Sequence, residues 1–239
     1  MENSTDDDFL RKANPLVTII IPVFNCEKYI GEAIQSVLID DYRCKEIIVV
    51  NDGSTDNTSK IISTFDNITI IAQPNQGVSK ARNTAIQFAS GEFVTYLDAD
   101  DIWMPGRLAN CVNFFDENPE TDFVLGLQQM FLEEGAAKPP SVKQEWLENY
   151  TEASNNGVIM VRKNCYQKIG LFDTSLKNGE DTEWLLRARD AGLISERAPF
   201  VFIKRRIHEK NLSVGQSTEY KKMLFKIIRE SVQRKTSNA

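Results

Sequence analysis

Val17-Thr18-Ile19-Ile20-Ile21-Pro22-Val23 is apolar almost without a break. A strand that reads this way has to be covered on both faces. Tyr29, Ile30, Ala33, Ile34, Val37 and Leu38 then recur at helical spacing. The alternation repeats. Glu46-Ile47-Ile48-Val49-Val50 is a second buried strand. Ser54-Thr55-Asp56 offers N-cap residues to a helix carrying Ile61, Ile62 and Phe65. Ile68-Thr69-Ile70-Ile71 is a third strand. Val78, Ala81, Ala85, Ile86 and Ala89 mark a third helix, stopped by Ser90-Gly91, and Phe93 to Leu97 is a fourth strand. Strands alternating with helices predict an α/β, Rossmann-like domain with a mostly parallel central sheet and helices on both faces.

After residue 101 the pattern loosens. Pro105 suits the first turn of a helix reaching Asn118. Strands are expected at Phe123 to Leu127, Gly157 to Val161 and Phe200 to Ile203, a loop at Glu133 to Lys143, and a helix at Asp181 to Ala191. With 239 residues, a single catalytic domain over 15–215 accounts for the chain. Residues 1–14 form an acidic, flexible tail, and 216–239 a basic amphipathic helix. In that helix Tyr220, Met223, Leu224, Ile227 and Ile228 recur at helical spacing. Between Ser217 and Lys235, six basic residues (Lys221, Lys222, Lys226, Arg229, Arg234, Lys235) stand against two acidic ones, a net +4 in a chain of net -6. Such a helix either packs its apolar face on the domain or lies on anionic lipid.

The negative net charge argues against nucleic acid as a partner. No apolar run approaches the roughly 18 residues of a membrane span. The Asp6-Asp7-Asp8 start is unlike a signal peptide. The expected location is the cytoplasm, with peripheral contact at the inner face of the membrane. Cys26, Cys44, Cys111 and Cys165 are scattered with no C-x-x-C pair, so reduced, partly buried thiols are expected rather than a zinc or redox site.

The polar clusters stand where an open α/β sheet binds ligands, beyond the carboxyl ends of its strands. The first strand ends in Pro22-Val23-Phe24-Asn25, the second in Asn51-Asp52-Gly53-Ser54, and the fourth in Asp98-Ala99-Asp100-Asp101. Three carboxylates within four positions repel one another unless a cation or a row of donors neutralises them. A divalent ion with hard oxygen ligands does this, and a nucleoside diphosphate is its natural companion. Asp52-Gly53-Ser54 alone reads equally well as a turn with a helix cap, and Asp98 to Asp101 as a solvated loop. Their occurrence together, on successive strands, carries more weight.

Together with Asn75-Gln76-Gly77-Val78-Ser79-Lys80-Ala81-Arg82-Asn83, these segments resemble the opening blocks of the family 2 glycosyltransferases. The resemblance runs from about residue 16 to 213. It implies the A-type glycosyltransferase fold and inverting transfer from a nucleotide-sugar, UDP-linked, to a saccharide or lipid-linked saccharide acceptor. It further implies that Pro22, Val23 and Phe24 line the base pocket, that Asp52 holds base or ribose, and that Asp98 sits near the ribose. Asp100 would ligate Mn2+ or Mg2+ with Asp98 in the shell, and His208 would either complete that shell or contact phosphate. Lys80 and Arg82 would flank the nucleotide, a structural ion pair being the alternative for them.

In Asn178-Gly179-Glu180-Asp181-Thr182-Glu183-Trp184 the carboxylates suit a helix start. The resemblance makes Asp181 the general base and lets Glu180 orient the acceptor. Lys204 to Ser213 carries Arg206, placed to pair with phosphate oxygens, and His208, the only histidine. There is no Gln-x-x-Arg-Trp segment, which processive synthases of the family carry, so a single-transfer enzyme is expected. Trp103 and Trp146 are core or sugar-stacking candidates, and Trp184 is expected in the core. Two rivals remain: a non-catalytic nucleotide-sugar-binding module and a sugar-nucleotide nucleotidyltransferase. The second would want a Gly-rich basic loop where this chain has Phe24-Asn25-Cys26-Glu27.

Overall fold

The computed structural model describes residues 14–208, 211 and 218–237. The acidic tail therefore falls outside the described residues except for Asn14, as do Glu209, Lys210 and residues 212–217.

The N-terminal half follows the alternation. Strands β1 (Val17–Val23), β2 (Lys45–Asn51), β3 (Thr69–Ala72) and β4 (Phe93–Tyr96) alternate with helices α1 (Ile30–Leu38), α2 (Thr58–Ile62) and α3 (Val78–Phe88). β1 pairs in parallel with β2 and β4, and β2 with β3. All seven residues of β1 are buried, and α3 packs on β1 and β2 while α1 and α2 pack on each other. Each fully buried Ile or Val here contributes roughly 1.5–3 kcal/mol of burial free energy. Thr18 is the polar exception. Its hydroxyl donates to Glu46 at 2.5 Å and accepts from the Gly91 amide at 3.0 Å, so no group is left unpaired. Gly91 has to be glycine because a Cβ there would lie 2.7 Å from the Thr18 nitrogen.

The second half is mixed. Its elements are β5 (Ile102–Trp103), α4 (Arg107–Glu117), β6 (Phe123–Leu132), α5 (Gln144–Glu148), β7 (Tyr150–Glu152), a 3-10 turn (Asn156–Val158), β8 (Ile159–Arg162), α6 (Cys165–Ile169), α7 (Glu180–Asp190), β9 (Ser195–Ile207) and α8 (Thr218–Ser237). Among the described residues the sheet has nine strands in the order β3-β2-β1-β4-β8-β6-β9-β5, with β7 added on β6. β8 runs antiparallel to both β4 and β6, and β9 runs parallel to β6. The strand expected at Phe200 to Ile203 is thus a 13-residue strand, and β5 pairs with it through only Ile102 and Trp103. The strand expected at Phe123 to Leu127 runs on to Leu132, just before the expected loop; its outer stretch alternates buried and half-buried positions too weakly to read as a strand.

A buried cation holds this half together. Arg107 lies between the rings of Trp103 and Phe202, 3.9 and 4.3 Å from their centroids, and donates to the Thr95 hydroxyl and to the Ile159 carbonyl at 3.2 Å. It therefore joins β4, β5, β8 and β9. Burial depresses its pKa to about 9, still high enough to keep the charge at neutral pH. Trp103 is core, as is Trp184, whose ring meets Phe123, Tyr166 and Phe172. Trp146 packs in a small satellite cluster with Met130, Val142 and Ile207. All four cysteines are free, and burial pushes the thiols of Cys26, Cys111 and Cys165 up to about 12, which leaves them inert.

Gly126 tests this packing. A Cβ there would lie 1.8 Å from the Phe202 ring that stacks on Arg107. Gly126→Ala should cost about 1–3 kcal/mol by overpacking, which lowers Tm by roughly 2–4 °C per kcal/mol in a chain of this size. A Tm within a degree of wild type in calorimetry would show that Phe202 can move aside.

Of the two expectations for the C-terminal helix, packing on the domain is the arrangement observed. α8 lies along α7, with Ile227 and Ser231 buried, Ser231 accepting from Arg189 at 2.9 Å, and Arg234 donating to Asp190 at 3.1 Å. The side chains of Tyr220, Lys221 and Lys235 lie outside the described residues. Among the described residues no helix is long and apolar enough to cross a membrane.

Candidate functional site

The carboxyl ends of β1, β2 and β4 meet at one rim, and the loops there are laced together by short hydrogen bonds. The Asp52 amide donates to the Val23 carbonyl at 2.8 Å. Asn25, with φ of 46°, accepts from the Thr55 amide at 2.7 Å, while its own amide donates to the Ser54 hydroxyl at 2.9 Å. An asparagine tolerates that left-handed backbone because its short side chain bonds locally. Pro22 and Val23 are buried under the rim, and Phe24 stands 49% exposed on it.

Asp52 is 3% exposed, and both its oxygens are engaged. One accepts from the Gln73 side chain at 2.7 Å and the Gln76 amide at 3.0 Å. The other accepts from the Gly77 amide at 2.8 Å. In this arrangement it holds the 73–77 loop against β2. Gly53 lets that loop close, since with φ of 76° any Cβ would lie 2.7 Å from the Asn75 nitrogen. The weak signal for this role was the spacing between Asp52 and the polar run Gln73 to Gly77.

The carboxylate turn after β4 sends its members in different directions. Asp98 accepts from Arg82 at 2.8 Å, and the other arm of Arg82 donates to Glu180 at 2.6 Å. Arg82 is buried in the first half of α3. Burial alone would lower its pKa, but the charges of Asp98, Glu180 and Asp181 outweigh this and raise it. The guanidinium is therefore the hub of a four-member ionic cluster. The nucleotide-flanking role and the structural ion pair were both open for Arg82, and the contacts seen are those of the ion pair. Lys80 is half-buried on the first turn of α3.

Asp181 is half-buried at the start of α7, beside Glu180 and behind Gly179, whose φ is 76°. Burial first, then the charge of Glu180, raises its pKa from 3.8 to about 6. The Thr182 amide, donating at 2.7 Å, and the Arg82 charge oppose the rise. A carboxyl poised near neutrality, at an accessible edge, is suited to taking a proton.

Asp100 points the other way. One of its oxygens lies 3.0 Å from His208 Nε2 and 3.2 Å from Asn211 Nδ2. The Tyr29 ring supports His208 at 4.8 Å between centroids, and its hydroxyl donates to Glu133 at 2.9 Å. Tyr29 and Asn211 were not singled out as site residues. Tyr29 scanned as part of the apolar face of α1, and only the return of β9 brings His208 against it.

In this arrangement Asp98 faces Arg82, while Asp100 faces His208. Among the described residues no three His, Cys, Asp or Glu side chains converge on one metal-sized site. Arg206 is turned inward: its side chain donates to Glu32 at 2.5 Å and to the Asp100 carbonyl at 3.0 Å, and packs over the rings of Tyr29 and Phe131. Its amide donates to Asp101 at 2.9 Å. Burial, then Asp100 and Asp98, raise the Asp101 carboxyl well above its ordinary range. Arg206 thus buttresses the carboxylate turn in this arrangement.

Comparison with known proteins bears on the family and the fold. The family model described as Glycosyl transferase family 2 matches residues 18–176. An uncharacterized glycosyltransferase of Rickettsia prowazekii is 31% identical over 223 residues, covering 87% of this chain and 70% of that protein. Chondroitin synthase of Escherichia coli is 28% identical over 237 residues, covering 93% of this chain but only 33% of its own length. Among solved structures, S. aureus TarS in complex with UDP-GlcNAc superposes with a TM-score of 0.73 at 23% identity, over 92% of this chain and 66% of that one. The mannosyltransferase PcManGT from Pyrobaculum calidifontis, in complex with GDP-Man and Mn2+, does so with a TM-score of 0.65 at 22% identity, over 83% and 59%. The chain thus spans somewhat under two thirds of these structures and a third of the synthase, and it shares their A-type glycosyltransferase fold. With the family model covering well over half of its length, the chain belongs to glycosyl transferase family 2.

Proposed function

We propose that the protein is a metal-dependent, inverting, non-processive glycosyltransferase that moves one sugar from a UDP-linked donor to a hydroxyl of a saccharide or lipid-linked saccharide. The observation that carries this reading is the division of the carboxylate turn. Asp98 is tied through Arg82 to the Glu180–Asp181 pair, while Asp100, two residues on, faces His208. On this reading a proton acceptor and a cation-binding pair lie on either side of one short loop.

The nucleotide would lie across the rim. Phe24 offers an exposed ring for the base, and the 73–77 loop fastened by Asp52 forms the adjacent wall. Asp181 takes the proton from the acceptor hydroxyl as that oxygen bonds to the anomeric carbon. The bond to the diphosphate breaks on the opposite face, and the leaving oxygen departs with the electron pair. Glu180, fixed by Arg82, orients the acceptor side. The Asp100 carboxylate and the His208 imidazole fit a divalent ion that accepts both oxygen and nitrogen, which suits Mn2+ better than Mg2+. When bound, such an ion supplies positive charge at the leaving diphosphate.

Titration of UDP by calorimetry tests the metal pair. Chelator should weaken binding at least tenfold relative to Mn2+, and Asp100→Ala should bring the Mn2+ affinity down to the chelated value. Equal affinity with and without Mn2+ would remove Asp100 and His208 from this role. UDP release that rises on addition of acceptor would separate a transferase from a module that only binds nucleotide-sugars.

A further inference from the structure

Among the described residues nine large hydrophobic side chains are exposed, and three of them lie on α8: Phe225 at 74%, Ile228 at 45% and Val232 at 57%. Their spacing of three and four places them along a single edge of the helix. The opposite side of α8 carries Ile227 and Ser231 and is already covered by α7. Core packing therefore does not account for this edge. Beside it stand Lys222, Lys226 and Arg229, all exposed, with Glu230 3.7 Å from Lys226 and Asp173 close enough to feel the same charge.

We propose that this edge of α8 docks the protein on a lipid surface bearing anionic headgroups. The charge pattern selects that occupant. The chain is net -6, yet the segment 217–235 is net +4, and three of its cations, Lys222, Lys226 and Arg229, stand exposed beside the apolar edge. An in-plane helix has this section: apolar side chains enter the acyl boundary while lysine and arginine stay at the headgroups. A neutral or acidic protein partner would explain the apolar edge or the cations, but not their side-by-side arrangement along one helix.

The docked helix is also tied to the reacting groups. A Cβ on Gly179 would lie 2.7 Å from the Met223 methyl, so α8 seats directly behind the residue that precedes Glu180 and Asp181. Helix axes in contact are spaced about 8–10 Å apart, so Asp181 is held within roughly two helix diameters of the surface that α8 lies on. Docking stands without the transfer reaction. Its use, which is to meet a lipid-linked acceptor at the membrane, rests on the function proposed above.

Flotation of the full chain tests this with two kinds of vesicle: phosphatidylcholine alone, and phosphatidylcholine with roughly one third phosphatidylglycerol. The wild type should float with the anionic vesicles and not the neutral ones. F225S/I228S/V232S and K222E/K226E/R229E should each lose at least about tenfold in vesicle affinity while keeping the wild-type Tm, since all six side chains are exposed. Failure of the wild type to float with anionic vesicles would overturn the proposal, as would triple variants that float equally well. So would a dimer in analytical ultracentrifugation that F225S/I228S/V232S converts to monomer, because a second copy would then cover the edge. UDP titration of the same samples keeps the two readings apart. Lost docking with intact UDP affinity sinks only the membrane inference, and intact docking without UDP affinity sinks only the transferase reading.

Discussion

Asp181→Asn should lower kcat by about 10²- to 10⁴-fold, the range a single general base contributes, while leaving UDP affinity within a few-fold of wild type. The amide has the same shape but cannot accept the acceptor's proton. Because the wild-type carboxyl titrates at about 6, kcat/KM should rise with pH through that value and then level off. A second readout follows from the same shift. The folded-state pKa lies above the ordinary 3.8, so the folded protein binds this proton more tightly than the unfolded chain does. The stability it contributes is complete below pH about 4 and is lost as pH rises through about 6. Asparagine cannot ionise, so the Tm of the variant relative to wild type should improve between pH 4 and 8. Retention of most of the turnover, with a matched acceptor, would move the base to Glu180.

Arg82→Met should be the most destabilising single change in the site. The guanidinium is 4% exposed and bonds Asp98 and Glu180 at once. Removing one partner from a buried ion pair costs about 3–5 kcal/mol, because the charge left behind has no compensation. The Glu180 arm should dominate, since its side chain is 9% exposed whereas that of Asp98 is 40% exposed and screened by solvent. A Tm loss of roughly 10 °C at pH 7 is expected, shrinking towards pH 4 as the orphaned carboxylates take up protons. Arg82→Lys keeps one charge but lacks the planar fork, so it should fall between the two. A loss below about 1 kcal/mol at pH 7 would mean that the acidic residues separate and hydrate when the cation is removed.

The parallel half of the sheet was legible because its code is local. β1 is apolar at nearly every position, and so is the buried part of β2. The helices between them keep a 3.6-residue period, and the polar residues fall just past the strand ends. The mixed half was less so. β5 is two residues long, and most of the ten residues beyond the exposed start of β9 are held by long-range pairing to β6 rather than by their own pattern. Arg107 reads as an ordinary cation in a helix, yet it is buried between two rings from elements far apart in the chain. Tyr29 looked like one more apolar residue of a helix, and becomes the support of His208 only because a residue 179 positions away returns to it.

Residue order along the chain determined the layered α/β architecture, the rim where polar loops gather and the identity of its carboxylates, because periodicity and strand-end chemistry depend on neighbours a few positions apart. The tertiary structure decided which carboxylate meets which cation. Arg82 takes Asp98 and Glu180, Asp100 is left to His208, Arg206 turns inward to Glu32, and α8 covers α7 on one side while exposing Phe225, Ile228 and Val232 on the other. These choices are made between groups from about 16 to 174 positions apart in sequence. A charge pairs with whichever opposite charge shares its desolvated space, and only the packed backbone determines that space.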